Sequence, residues 1–104
     1  MYRVSVARTG ITAEQTVAVL RRAMGDEHEV EQTRADTVVV RESSTRKTRV
    51  DLRHKPDGTV FIVQGIGPRL VNRVFAMAVS SGVSARVARA IEEAEEFRGD
   101  EATA

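Results

Sequence analysis

The chain has 104 residues, 41 % hydrophobic and 30 % charged, with a formal net charge of +1, the makeup of one folded domain rather than a disordered segment. It has no cysteine, which excludes disulfides, thiolate metal sites and cysteine-based catalysis. The opening MYRVSVARTG lacks the apolar run of a signal peptide and no stretch approaches the ~20 apolar residues of a membrane span, so a cytoplasmic protein with no membrane partner is expected.

Tyr2, Val4 and Val6 alternate with Arg3, Ser5 and Ala7, the pattern of a half-buried strand that Thr9-Gly10 ends. Thr12 with Gln15 three residues later forms a capping-box pattern for a helix that buries Ala13, Val17, Leu20 and Met24, with Thr16 and Ala23 flanking. Arg21 and Arg22 suit its C-terminal dipole, and Gly25 ends it. His28 to Gln32 alternates with glutamates and predicts a short polar strand at a sheet edge. Arg34-Ala35-Asp36 turns the chain into the β-branched strand Thr37 to Arg41, and Ser43-Ser44 marks the next turn.

From Arg46 to His54, Thr48, Val50 and Leu52 share one face, while Lys47, Arg49, Asp51, Arg53 and Lys55 share the other. Lys55-Pro56-Asp57-Gly58 is a turn signal, and the nearly all-apolar Thr59 to Gln64 returns across it as the expected central strand. Gly65 to Phe97 then carries the longest helical periodicity. Leu70, Val71, Val74, Phe75 and Ala78 form one apolar stretch, and Val83, Val87, Ala90, Ile91 and Ala94 form another. Pro68 fits a helix's first turn, and Ser80-Ser81-Gly82 is a potential break.

The order β-α-β-β-β-β-α predicts an α+β two-layer sandwich. An antiparallel sheet of four to five strands carries a long, bent or broken C-terminal helix and one shorter helix on a single face. Residues 1–98 form the domain and 99–104 a flexible acidic tail. With 4 % aromatic residues and no tryptophan, the core is built from Val, Leu, Ile, Met and Ala.

Three stretches invite a functional reading. The outward row Lys47, Arg49, Arg53 and Lys55, with Arg41 on the neighbouring strand, could track a phosphate backbone, although no aromatic residue accompanies it for base stacking. Gly65, Gly67, Arg69 and Arg73 lie in a Gly-rich turn before a helix, a place where backbone amides and guanidiniums hold anions. Ala78, Gly82, Val83 and Ser84, with Ile91 further on, resemble the turn of helix-turn-helix DNA-binding domains. That resemblance covers only Ala78 to Ile91, and it departs at Ala88 and Ser81. It implies that Ser84, Ala85, Arg86 and Arg89 face DNA.

Little in the sequence suggests an enzyme or a cofactor. His28 and His54 are the only histidines and lie on different segments. The serines lack a nucleophile-elbow context, and the acidic runs do not pair across a cleft. No catalytic or metal-binding residue is assigned. The glutamates from Glu92 to Glu96 oppose the helix dipole, an arrangement that suits docking on a basic face such as Arg46 to Lys55 of a second copy. The expected role is a binding domain for protein, a homodimer included. Nucleic-acid binding is the alternative, and an apolar ligand held between sheet and helix is a third reading.

Overall fold

The computed structural model of the chain describes residues 1–43, 46–66 and 73–98, and for 73–81 the backbone alone. Five strands form one antiparallel sheet in the order β1-β5-β4-β3-β2, from β1 (Tyr2–Val6), β2 (Glu29–Arg34), β3 (Thr37–Arg41), β4 (Lys47–Lys55) and β5 (Gly58–Ile66). Helix α1 (Ala13–Met24) follows β1, and α2 (Arg73–Glu93) follows β5. Both helices pack on the same face of the sheet, α1 over β2 and β3 and α2 over β1, β5 and β4. This is the anticipated α+β sandwich.

Alternation decides which side each strand residue takes. Val4, Val38, Val40, Val50, Leu52, Phe61 and Val63 turn inward and are buried under the helices. Two hairpins join neighbouring strands, Ala35-Asp36 between β2 and β3, where an irregularity between Gln32 and Arg34 shifts the register by one, and Pro56-Asp57 between β4 and β5. The strand expected at the centre, β5, is an inner strand, but β4 occupies the middle of the five. The polar β2 lies at an edge, as its composition suggests, and Arg21 of α1 covers part of that edge by donating from Nε and Nη2 to the Val30 carbonyl.

The local signals of α1 all appear. The Thr12 Oγ1 accepts from the Gln15 amide at 3.1 Å and the Gln15 side chain returns a bond to the Thr12 amide, closing the capping box. Gly25, at φ +69°, ends the helix with its amide on the Arg21 carbonyl.

The C-terminal helix departs from expectation in two ways. Its described part, Arg73–Glu93, stops before Ala94 rather than running to 97, after which a short 3-10 turn, Glu95–Phe97, seats Phe97. It also runs without interruption through Gly82, so Ser80-Ser81-Gly82 is neither a break nor a turn. Residues 67–72 and 99–104, and with them Pro68 and the acidic tail, lie outside the described residues.

Gly82 is exposed, and a methyl group added there would touch nothing within 4 Å. Gly82→Ala is therefore expected to raise stability by about 0.5–1 kcal/mol, the helix-interior advantage of alanine. Thermal or urea unfolding measures this. A loss of stability would mean that the glycine occupies a turn and that the helix is not continuous.

Candidate functional site

With both helices on the inner side, no described helix covers the other side of the sheet. Lys47, Arg49, Asp51, Arg53 and Lys55 of β4 point there, beside Val60, Ile62, Gln64 and Ile66 of β5 and Thr37, Val39 and Arg41 of β3. Arg3 and Ser5 mark the β1 edge, and Glu29 and Glu31 the β2 edge.

The basic row is less basic than its sequence suggests. Arg41 donates from Nε and Nη2 to the Glu31 Oε1 at 3.0 and 2.8 Å across the β2–β3 ladder. The Arg49 Nε stands 3.1 Å from the Asp51 Oδ2, and the Gln64 amide oxygen, oriented toward Arg49, accepts from its Nε at 3.3 Å and from its Nη2. Asp51 also accepts from the Thr37 hydroxyl at 2.9 Å. A polar ladder from Gln64 through Arg49 and Asp51 to Thr37 thus crosses three strands near the middle of the face. Lys47 is half-buried; Arg53 and Lys55 are exposed and carry no ion pair among the described residues.

Apolar side chains are interspersed. Val39 and Val60 are 8 % and 5 % exposed on this uncovered face, Ile62 is half-buried, and Ile66 is 39 % exposed. Val39 sits between Glu31 and Arg49, and Val60 between Ser5 and Arg53, in the cross-strand register. No described aromatic side chain lies on this side, since Tyr2 and Phe61 belong to the inward set and Phe97 packs on Phe61.

The helix-turn-helix resemblance fails in three dimensions. Ala78, Gly82, Val83, Ser84, Arg86 and Arg89 belong to one helix. The Ser84 hydroxyl, which the resemblance would turn toward DNA, is 1 % exposed and shares a 3.0 Å hydrogen bond with the Thr48 hydroxyl on β4. Val83, Val87 and Ile91 are buried on the same side, so helical periodicity places Ser84 in the core. Arg86 and Arg89 are exposed on the helix surface. Of the anion-site residues, Gly65 is exposed near the end of β5 and Arg73 opens α2, while Gly67 and Arg69 lie outside the described residues.

The acidic helix end is also partly committed within the molecule. Glu96 accepts from Arg22 at 2.6 and 3.0 Å, and its carbonyl accepts from the Arg8 Nη1 at 2.7 Å. The hydrogen bond from Arg22 holds the Glu96 carboxyl below the usual carboxylate range. Glu96 is therefore already engaged within the molecule, by an exposed pair, whereas Glu92 and Glu93 have no ion pair among the described residues. His54 bonds to Asp36 at 2.9 Å, and His28 lies on the other side of the chain order before β2. Among the described residues no group of three His, Asp or Glu side chains gathers as a metal site would require, and no helix is long and apolar enough to cross a membrane. The clefts lined by described residues open at the surface, at the helix ends, along the strand edges and between the outer sides of α1 and α2.

Sequence reasoning placed the cations correctly but not the carboxylates that answer them. Asp51 was visible as the alternate neighbour of Arg49. Glu31 reaches Arg41 only because an irregularity between Gln32 and Arg34 shifts by one residue the register begun at the Ala35-Asp36 hairpin, which turns Glu31 to the side of Val39 and Arg41. Comparison with protein-family models, curated proteins and solved structures returns no match to this chain.

Proposed function

We propose that this chain is a non-enzymatic domain that associates with protein through the open face of its sheet. The observation that carries this reading is the presence of half-buried Ile62 and exposed Ile66, beside the buried Val39 and Val60, on a face that neither helix covers. Apolar side chains set among charged ones are the makeup of protein interaction surfaces. A face kept only for solubility needs none of them.

Nucleic-acid binding is the weaker reading. Arg41 and Arg49 engage Glu31 and Asp51, which takes two of the five cations out of the row that would neutralise phosphates, and no described aromatic ring lies on this face for stacking. An apolar ligand between the layers is weaker still, because the inward residues of the described core pack against one another.

A photo-reactive benzophenone side chain at position 62, in the cells that make the protein, tests the proposal. Irradiation is expected to give discrete protein adducts from position 62 and none from position 18, an exposed site on α1. No adduct at 62, or the same adducts at both positions, would sink it.

A further inference from the structure

The charges around the open face are sorted by corner. Glu27, Glu29 and Glu42 gather where β2 and β3 reach the Lys47 end of the sheet, around one shallow cleft that Ser43 and Arg41, the latter already engaged by Glu31, also line. Arg3, Arg53 and Lys55 occupy the diagonally opposite corner, on β1 and the hairpin end of β4, with Asp57 the one carboxylate lining the cleft there. Among the described residues, none of these glutamates and none of these three cations has a side-chain hydrogen bond or ion pair. Between the corners lie Val39, Val60 and Ile62, and the ladder in which Arg49 and Asp51 cancel. Opposite charges at opposite corners of a neutral, partly apolar middle make a surface complementary to itself.

We infer that the partner of this face is a second copy of the chain, seated face to face about a two-fold axis. The inference rests on the sheet-face reading above. To place each acidic corner over the other copy's basic corner, the axis must lie between the two sheets and cross the line joining the corners at a right angle. The strands of the two copies then cross steeply instead of running parallel. The alternative, an acidic helix end on the partner's sheet, is a head-to-tail contact that does not close and would build open chains. The engagement of Glu96 by Arg22 opposes it.

The face is about 19 Å across and about 20–27 Å long, on the order of 400–500 Å2 per copy. That is below the ~800 Å2 per partner of a standard interface, so the pair forms at high protein concentration and dissociates readily. Much of its selectivity comes from the corners, which salt screens.

Sedimentation equilibrium of the full chain, from about 20 µM to about 1 mM, reads this directly. The expected result is a monomer–dimer equilibrium with no larger species, weakened at least about tenfold when salt rises from ~0.1 to ~1 M and the Debye length falls from ~10 to ~3 Å. The double variant Arg53→Glu with Lys55→Glu, and separately Glu29→Lys with Glu42→Lys, should each be monomeric. An equimolar mixture of the two should recover the dimer, because acidic corners then meet basic corners again. Purified chain with benzophenone at position 62 reads the same contact without charge reversal, and its adducts should map to residues 47–66 of the other copy. A wild-type monomer throughout, species beyond the dimer, a dimer indifferent to both variants, or adducts on α1 or α2 would overturn the inference. If the chain is monomeric but position 62 captures a different protein in cells, the second-copy inference falls and the sheet-face reading stands. If position 62 captures nothing, both fall.

Discussion

Replacing Phe97 with alanine is expected to cost about 3–5 kcal/mol, the usual range for emptying a buried aromatic site. Phe97 is 1 % exposed although it follows the last helix, in a three-residue 3-10 turn near the end of the described chain. Its ring lies 5.1 Å from that of Phe61 at 34°, a tilted pair on the inner face of β5. Aliphatic residues supply the rest of the buried hydrophobic set, and none can swing over to fill a phenyl-sized hole without leaving its own place. Set against a total of about 5–15 kcal/mol, this loss is large, and it lowers Tm by roughly 12 °C or more in a chain of this length. Two-state urea unfolding checks it, and a loss below ~1 kcal/mol would mean that the C-terminal turn does not seat the ring.

Glu96→Gln separates the ring from the exposed clamp beside it. That change keeps the carbonyl that Arg8 holds and removes only the carboxylate paired with Arg22. Because both partners are solvent-exposed, its effect should be a small fraction of the Phe97 effect. The two also differ in pH dependence. The Glu96 carboxyl titrates below its unfolded value, so its contribution is present above the ordinary glutamate range and disappears as pH falls through the lowered folded value. The loss from Phe97→Ala persists unchanged in acid.

The sheet was readable because strand alternation is a strict signal and both hairpins carry turn residues. Val50 and Leu52 turned inward and Arg49 and Arg53 outward, as the period of two requires. Helix α1 was readable from its caps, yet Val19 escaped its predicted face. That helix packs on α2 as well as on β2 and β3, so its buried arc is wider than one stripe. Ile11 was invisible for a different reason. It is 1 % exposed in a loop with no periodicity, immediately before the Thr12 cap, where a hydrophobic residue fixes the entry of the chain. Gly82 misled because glycine stops most helices; here the ~1 kcal/mol it costs is offset by Val83, Val87 and Ile91 packing beyond it. The open face was legible in its cations and opaque in its pairing, which depends on contacts distant in sequence.

Gly58 offers a second sharp test, since its sequence context misstates why it is needed. It ends a Pro-Asp-Gly turn, where glycine ordinarily supplies a left-handed backbone, but the glycines with positive φ among the described residues are Gly10 and Gly25. What Gly58 supplies is room. A Cβ built on it would collide with the Val6 carbonyl oxygen, where the end of β1 crosses the start of β5. The next residue fastens the same crossing, because the Thr59 hydroxyl, 1 % exposed, donates to the Arg8 carbonyl at 2.9 Å. Neither backbone can withdraw without opening the β1–β5 ladder. Gly58→Ala is therefore expected to cost about 1–3 kcal/mol by overpacking, and Gly58→Asn at least as much. Asparagine tolerates left-handed backbone, so a glycine needed only for its φ would accept it. Gly10, at φ +73° with nothing within 4 Å of a would-be Cβ, should do so, Gly10→Asn costing less than Gly10→Ala. If Gly58→Asn retained wild-type stability in urea unfolding while Gly58→Ala did not, the close approach of β1 to β5 would be refuted. Because Arg8 also holds the Glu96 carbonyl, loosening β1 reaches the turn that seats Phe97. The Gly58→Ala and Phe97→Ala losses should accordingly fall short of additivity when combined.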